Sequence, residues 1–483
     1  MAMDKLKTIC NKYLPILLLM LFGVSVYPLL WRDFWFDEAL TLLNFALLPA
    51  GDIYWNYAIP NNHILYTLCL HFYFLFCPAT VPFDLWCRLL SVIFASGVLV
   101  LMYFWFARMI GRRVWFWLLT AMATATPFLI YATAVRGYML GMLAAAVAAK
   151  CAFEFSGKGT FKWGTACFLA SAVTVGVTPS NLIALGAAAL YAAWFCGSAP
   201  WKKLRFYCLG ILPLAAFAVF YLPIWSQLIK AANLGEGWSH PLPVLAAWLL
   251  AVLIPVLPLF LVLLIVYPVV RRKKLSKNLL FAGIWLLPAV MVFFTRVPPF
   301  PRVLVVLYPV IWLLWGKAVH RLLAFLRYRG MSAAKQGRLI NIFGLFLLFW
   351  TVCLIQTPRV KNQLSNWCGN ARQDDFYCAY YVRNDHIPLK TAQAIAKLDL
   401  TGVPEIYLSF TSDPWALMLY LQANGMDSGK VIFDGPRGKV ENLKRSGLVV
   451  IHRSESIYEL EQRFGIKTRP VLENTNHRVY QVW

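Results

Sequence analysis

The stretch YLPILLLMLFGVSVYPLLW, residues Tyr13–Trp31, decides the fold class because it is the first of a long series of apolar runs. Basic residues precede it, as they would precede a signal peptide. The large or charged residues Trp31, Arg32 and Asp33 follow it, where a cleavage site would have small ones. We therefore interpret this stretch as a first membrane helix that is retained.

The composition agrees with a membrane protein. Of the 483 residues, 60% are hydrophobic and only 14% are charged, whereas soluble domains carry about 25% charged residues. Apolar runs recur as far as Thr357 and predict about eleven transmembrane helices. The predicted spans are Tyr13–Trp31, Leu85–Ile110, Val114–Tyr131, Ala134–Phe155, Trp163–Val177, Asn181–Phe195, Phe206–Trp225, Val244–Val270, Leu279–Thr295, Val303–Ala324 and Leu339–Thr357.

The net charge of +24 indicates membrane topology rather than nucleic-acid binding. With the N-terminus in the cytoplasm, the basic clusters between the predicted spans all fall on the cytoplasmic side, which is the positive-inside pattern. An odd number of spans then places everything after Thr357 outside. We expect a multi-pass protein of the plasma or inner cell membrane with a cytoplasmic N-terminus. The basic clusters are Arg108/Arg112/Arg113, Lys158/Lys162, Lys202/Lys203/Arg205, Arg271–Lys274 and Arg327–Arg338.

Two segments test this topology. The apolar run from Trp163 to Ser198 is too long for one crossing, and a turn at Thr178-Pro179-Ser180 divides it into two. The segment His63–Cys77 is apolar but short for a span, so we expect a helix that lies at the membrane interface.

The character of the chain changes after Thr357. Residues 358–483 have the patterning of a globular domain, with strands alternating with helices. The sequence therefore predicts an α-helical polytopic membrane domain, residues 1–357 with a first outer loop at 32–84, followed by a small extracytoplasmic α/β domain, residues 358–483. We expect the acids of this second domain to form a solvated surface. The predicted strands are Glu405–Phe410, Val431–Asp434, Leu448–His452 and His477–Trp483.

An acidic pair, Asp37-Glu38, lies just past the first apolar run. Carboxylates at a membrane boundary are costly to desolvate, and such a group can act as a general base. The competing interpretation is a pair of solvated loop acids, or partners of Arg32.

Among the cysteines, Cys77 with Cys87 and Cys368 with Cys378 are candidate disulfides, and sequence spacing does not decide either pairing.

Several motifs resemble those of a known superfamily. Trp35-Phe36-Asp37-Glu38-Ala39, followed by Pro60-Asn61-Asn62-His63-Ile64-Leu65-Tyr66, is similar to the first outer loop of GT-C glycosyltransferases. The groups with the greatest similarity are the protein O-mannosyltransferase-like and aminoarabinose-transferase-like families (glycosyltransferase families 39 and 83). Further matching stretches are Arg88-Leu89-Leu90-Ser91, Tyr131–Tyr138 and Pro301-Arg302. Ile64-Leu65 replaces two prolines of the family motif, and Val303 replaces a tyrosine.

The resemblance implies the GT-C fold and an inverting transfer of a sugar from a polyprenyl-phosphate-linked donor to an extracytoplasmic acceptor: a glycan, a lipid or a protein. Asp37 is then the candidate general base, supported by Glu38. A lipid phosphate needs fixed cations, and arginine binds phosphate in a bidentate manner. The candidate substrate-binding residues are Asn62, His63, Arg136, Tyr138, Lys230, His240 and Arg302.

Each binding residue also has a structural interpretation. His63 could cap the interfacial helix, and Asn62 could belong to a turn. Arg136 and Arg302 could anchor helix ends by reaching the lipid headgroups, and for Arg88 this is the preferred interpretation. The sequence shows no metal-ligand spacing, and a divalent cation is the one cofactor that the resemblance leaves open.

Two other classes of protein share parts of the pattern. A transporter or flippase of lipid-linked sugars would also be basic on its inner side, but it would more often place polar residues at the middle of the membrane. A non-catalytic partner in cell-envelope polysaccharide assembly is the third interpretation. Beyond the membrane lipids and the donor, the sequence specifies neither the sugar nor the acceptor.

Overall fold

The computed structural model describes residues 2–57, 59–195, 204–233, 241–262, 284, 286–293, 301–354, 387–434, 440–453 and 455–483. The chain forms two compact units. One comprises Met1–Leu30 with Pro49–Cys378, and the other comprises Trp31–Leu48 with Ala379–Trp483. The start of the predicted first outer loop therefore belongs to the same unit as the C-terminal residues. The division expected at residue 357 lies outside the described residues and stays a prediction.

The first unit is helical. Six of its helices are long and apolar enough to cross a membrane, or up to seven if one bent pair counts as a single span, within the residues described. This number identifies a multi-pass membrane protein, while the count of about eleven spans stays a prediction. The α-helices are Ala2–Val26, Ala50–Trp55, Ile64–Phe74, Phe83–Ile110, Arg112–Thr124, Thr126–Ala132, Tyr138–Lys158, Phe161–Val177, Leu182–Phe195, Leu204–Tyr221, Trp225–Asn233, Pro241–Leu253, Tyr308–Tyr328 and Ala333–Phe349.

Helix Tyr138–Lys158 is central to the first unit. It packs against helices Phe83–Ile110, Phe161–Val177 and Leu182–Phe195, and against the 3₁₀-helix Pro301–Leu307. A run of small residues makes this close packing feasible, because small side chains let helix backbones approach one another in a membrane. The buried alanines of this run are Ala144, Ala145, Ala146, Ala148 and Ala149.

Two proline-dependent breaks shape the helices. Helix Phe161–Val177 ends at Thr178, which is extended, and Pro179 begins a 3₁₀ turn before the next helix; the predicted turn is confirmed. The span predicted at Val114–Tyr131 is instead two helices that meet at an angle of 66°. Ala125 between them is extended, and Pro127 follows in the first turn of the second helix, where its missing N–H is tolerated.

The second unit contains a five-stranded sheet in the order β2-β1-β3-β5-β4. Strand β1 is parallel to β2 and β3, whereas β5 is antiparallel to β3 and β4. The strands are β1 Ile406–Leu408, β2 Val431–Ile432, β3 Leu448–His452, β4 Thr468–Glu473 and β5 His477–Val482. The helices of this unit are Phe36–Thr41, Pro388–Ala396, Pro414–Ala423 and Ile457–Phe464. The predicted α/β character is confirmed.

Strand β4 was not predicted from the sequence. Most of its residues are exposed, so it lacks the apolar alternation that marks a half-buried strand. Pro470 also weakens the strand signal, and a proline is tolerated on an edge strand such as this one.

Candidate functional site

A basic cluster in the helical unit is formed by His63, Arg136 and Arg302. The three side chains are 3%, 2% and 6% exposed, respectively. His63 is the residue before helix Ile64–Phe74, and Arg136 lies in the irregular segment that precedes helix Tyr138–Lys158. Arg302 is the second residue of the 3₁₀-helix Pro301–Leu307, which packs on that same helix. Burial shows that neither arginine extends to lipid headgroups as an exposed anchor.

Hydrogen bonds fix the positions of His63 and Arg136. The Gly137 N–H donates to His63 Nδ1 at 2.9 Å. Arg136 Nη1 donates to the backbone carbonyl of Asn61 at 3.2 Å and also to the Asn61 side chain. Arg136 Nη2 also lies 3.2 Å from His63 Nε2, a close approach that is not counted as a hydrogen bond. Neither Asn61 nor Gly137 was predicted as a site residue, although they lie inside the motifs Pro60–Tyr66 and Tyr131–Tyr138.

The His63 ring is held neutral. Burial, followed by the charges of Arg136 and Arg302, lowers its pKa well below the usual value. A neutral imidazole carries one N–H, and Nδ1 accepts from Gly137, so Nε2 carries the proton. The Nε2–H and the Arg136 guanidinium are thus neighbouring donors, an arrangement that favours an anionic acceptor over a cation.

Gly137 has no room for a side chain. A Cβ atom there would lie 2.7 Å from His63 Nδ1 and 2.6 Å from Val177 Cγ1. Glycine is therefore required at this position if the backbone is to reach the His63 ring.

Tyr138 completes the surroundings of the basic cluster. Its ring meets the His63 ring edge to face at 5.0 Å, and the Arg136 guanidinium lies 5.7 Å from the Tyr138 centroid. The Tyr131 ring also packs on the Tyr138 ring, with 4.7 Å between the ring centroids. The aromatic rings restrict the conformations of both His63 and Arg136.

Arg88 does not act as a headgroup anchor. The side chain is fully buried, and its Nη1 donates to the Thr133 carbonyl at 2.8 Å. Nearby, Ser91 Oγ donates to the Ala134 carbonyl at 2.6 Å and lies 2.9 Å from the Tyr66 hydroxyl. These bonds tether the irregular segment 133–137, which carries Arg136. The snorkelling interpretation of Arg88 is wrong because no part of the side chain is exposed.

The other predicted binding residues differ from the basic cluster. Asn62 is buried, and its amide donates to the carbonyls of Ile53 and Asn56 at 2.8 and 2.9 Å; it closes the turn before helix Ile64–Phe74. Lys230 is exposed on helix Trp225–Asn233. His240 lies outside the described residues.

An acidic cluster in the second unit is formed by Asp37, Glu38 and Asp413. All three are buried, so the interpretation of Asp37 and Glu38 as solvated loop acids is wrong. Glu38 Oε2 accepts a hydrogen bond from the Trp35 N–H at 3.2 Å, which is half of a capping box for helix Phe36–Thr41. Asp37 lies in the first turn of the same helix, where a negative charge is favourable.

Asp413 corrects the expectation that the acids of the C-terminal domain are solvated. It is 7% exposed, and Glu405 is buried to the same extent. Burial, with the nearby charges of Asp37 and Glu38, raises the pKa of Asp413 to about 8, although hydrogen bonds from the Ala416 and Phe36 amides oppose the rise. Nothing in the sequence indicates that Asp413 meets the Asp37-Glu38 pair.

The described residues hold no cluster of metal-binding side chains and no Cys77–Cys87 disulfide. Within them, no group of three or more His, Cys, Asp or Glu side chains has the arrangement of a metal site. Cys77 and Cys87 are free thiols, so that candidate disulfide is absent. Cys368 and Cys378 lie outside the described residues.

Two solved structures share this architecture. ArnT from Cupriavidus metallidurans bound to undecaprenyl phosphate matches with a TM-score of 0.53 and 16% identity, over 96% of this chain and 97% of that chain. The apo state of ArnT matches with a TM-score of 0.55 and 15% identity over the same shares. No model of a known protein family and no curated protein matches this sequence. The chain therefore has the GT-C fold of the ArnT structures, as its motifs predicted.

Proposed function

We propose that this protein is an integral membrane glycosyltransferase. It transfers a sugar from a polyprenyl-phosphate-linked donor to an extracytoplasmic acceptor, a glycan, a lipid or a protein, with inversion at the anomeric carbon. The observation that carries the proposal is the basic cluster, in which His63, Arg136 and Arg302 are buried together in the helical unit. The fold supports it, because an ArnT structure of this fold was solved with undecaprenyl phosphate.

The basic cluster suits a lipid phosphate. A phosphate offers acceptor oxygens to several N–H donors at once, and arginine binds it in a bidentate manner. Arg136 and Arg302 supply fixed positive charge, and neutral His63 supplies one further donor without adding charge. A leaving polyprenyl phosphate gains negative charge as the glycosidic bond breaks, so donors fixed in advance stabilise the transition state.

The acidic pair suits acceptor activation. The acceptor hydroxyl loses a proton as it attacks the anomeric carbon, and inversion needs one carboxylate to take that proton. Glu38 is engaged in the capping hydrogen bond with Trp35. Asp37 occupies the first acidic place of the motif that resembles the GT-C first outer loop, so we assign it as the general base and Glu38 as the residue that holds the turn.

The remaining candidates have supporting roles in this proposal. Tyr138 packs on His63 and Arg136 and keeps them in place. Asn62 acts by shaping the turn that presents His63. Lys230, which is exposed on helix Trp225–Asn233, and His240 are proposed to contact the donor headgroup, and membrane lipids surround the apolar helices.

The experiment uses the purified full-length protein in nanodiscs with a pool of polyprenyl-phosphate sugars extracted from membranes. Mass spectrometry follows the free polyprenyl phosphate and the sugar on the acceptor fraction. We expect both to appear together with wild-type protein. If the lipid-linked sugars stay intact but cross the bilayer of proteoliposomes, the protein is a transporter. If they stay intact and in place, it is a non-catalytic partner.

A further inference from the structure

The segment that carries Asp37 is held by the C-terminal residues of the same compact unit. The Phe34 N–H donates to the Tyr420 hydroxyl at 2.8 Å, and the two rings stack at 6.0 Å. The Leu389 N–H donates to Asp33 Oδ2 at 2.9 Å, and Phe36 meets Phe410 edge to face at 5.8 Å. These contacts on both sides of Trp35 give the turn a fixed location.

Asp413 adds a contact at the acidic pair itself. It is the N-cap of helix Pro414–Ala423, and its Oδ1 accepts from the Ala416 N–H at 3.4 Å. Its carboxyl also accepts from the Phe36 N–H, the residue directly before Asp37. One buried carboxyl thus joins two helix N-termini, that of Phe36–Thr41 and that of Pro414–Ala423.

The backbone at Asp413 supports a specific role. Its φ of 57° places it in the left-handed region, which a non-glycine residue rarely adopts. A glycine would meet this conformation at lower cost, and Gly is also accepted as an N-cap. Asp413 thus combines two unfavourable features, a left-handed backbone conformation and a carboxyl group that is buried beside two other carboxyl groups. Its side chain therefore has a role that glycine could not fill.

We propose that Asp413 is a positioning residue for Asp37, so that the C-terminal domain contributes directly to the catalytic segment of the first outer loop. This inference rests on the proposed function. At neutral pH the Asp413 carboxyl keeps its proton and bridges the two helix starts without adding charge. Its O–H is then a donor among groups, Asp37 and Glu38, that act as acceptors.

Ionisation of Asp413 disturbs this arrangement. Above about pH 8 the group becomes a third negative charge beside Asp37 and Glu38. Other titratable groups on the elements packed around it include Tyr420, whose hydroxyl accepts from the Phe34 N–H, and Asp33, which accepts from the Leu389 N–H. His477, whose Nε2 lies 3.0 Å from the Ser412 carbonyl, and the exposed Lys390 are two more. We expect repulsion at the acidic cluster to displace Asp37, and turnover to fall as pH rises through 8.

Two variants distinguish the positioning role of the Asp413 side chain from its role as a helix cap. Asp413→Asn keeps the left-handed backbone and an acceptor oxygen but cannot ionise. Asp413→Gly keeps the backbone conformation and removes the bridge. Glu405→Gln is the matched control, because Glu405 is equally buried in the same unit and also accepts from a backbone amide, that of Lys444. Thermal unfolding at pH 7 establishes that each variant is folded.

The test is the pH profile of sugar transfer by the full-length protein, from pH 5.5 to 9.5, with donor KM measured separately from kcat. We expect Asp413→Gly to lower kcat by about ten- to a hundredfold with donor KM nearly unchanged, since small misplacements of a reacting group have effects of this order. Asp413→Asn should keep kcat within about threefold at pH 7 and lose the fall above pH 8. Glu405→Gln should keep the wild-type profile.

The outcomes are distinguishable from those of the proposed function. If wild-type protein transfers sugar and both Asp413 variants have the same kcat and the same fall in turnover above pH 8, the positioning role is overturned. The proposed glycosyltransferase function is unaffected by that result. If wild-type protein transfers no sugar from any lipid-linked pool, the proposed function is overturned and the positioning role with it.

Discussion

The backbone N–H of Gly137 donates a hydrogen bond to Nδ1 of the buried His63 ring at 2.9 Å. This contact joins the first outer loop to the start of helix Tyr138–Lys158. It sets the tautomer of His63 and so decides that Nε2, next to Arg136, carries the proton. The donor character of the basic cluster thus depends on a residue that has no side chain.

Replacing Gly137 with alanine should disrupt the basic cluster. The new Cβ would lie 2.7 Å from His63 Nδ1 and 2.6 Å from Val177, so the ring or the helix start must move. Overpacking of this kind costs about 1–3 kcal/mol of stability. We expect a lower unfolding temperature and weaker binding of polyprenyl phosphate. Gly157→Ala on the same helix, with open space at its Cβ position, is the control. Equal binding by the two variants would refute this role for Gly137.

Arg136→Ala and Arg302→Ala should each weaken donor binding. A hydrogen bond to a charged group contributes about 1.5–3 kcal/mol, so the Kd for polyprenyl phosphate should rise about ten- to a hundredfold. Binding to nanodisc-embedded protein, followed by native mass spectrometry, measures the change. The exposed Arg112 supplies the control Arg112→Ala. Donor affinity that survives in both variants would remove the phosphate from this cluster.

The pH dependence of the unfolding temperature should reveal the raised pKa of Asp413. Its folded-state pKa, about 8, lies above its ordinary value of 3.8. The stability that burial of the protonated carboxyl provides is full below about pH 4 and is lost as pH rises through 8. The Asp413→Asn side chain does not titrate. The unfolding temperature of this variant minus that of the wild type should therefore increase from pH 4 to pH 8 and stay constant above pH 8. Parallel curves for the two proteins would show that Asp413 does not keep its proton in the folded state.

The topology prediction concerns the C-terminus. The predicted odd number of spans and the predicted basic cytoplasmic loops would together place residues 358–483 outside the cytoplasm. In a bacterial host, a C-terminal alkaline phosphatase fusion should be active and a C-terminal GFP fusion should be dark. A bright GFP fusion with an inactive phosphatase fusion would require an even number of spans.

The sequence predicted the helical class, the turn at Pro179 and strand β3 with its observed bounds, because apolar periodicity and proline are local signals. It proposed His63 and Arg136 as binding residues through motif resemblance, and the structure brings the two side chains together. It missed the bend at Ala125, since the apolar run continues across it and hydropathy does not record a change of direction.

The contacts that define the two clusters are long-range, and this explains the other errors. Arg88 has the sequence context of an interfacial anchor, and only the partner carbonyl of Thr133 shows that it is internal. Asp413 follows a strand like many surface acids, and it is separated from Phe36 by most of the chain. The pattern of a single sequence indicates which face of a helix or strand a residue occupies. It does not indicate which distant residue that side chain contacts.

The central claim is that Asp37 removes the acceptor proton during transfer from a lipid-linked sugar. The most direct measurement compares turnover of wild-type protein and Asp37→Asn with a purified polyprenyl-phosphate sugar pool, with donor affinity and unfolding temperature determined on the same preparations. Asparagine keeps the size but cannot accept the proton, so turnover should fall by ~10²-fold or more while donor binding persists. Glu38→Gln should have a milder effect. Near-normal turnover by a folded Asp37→Asn variant would contradict the account.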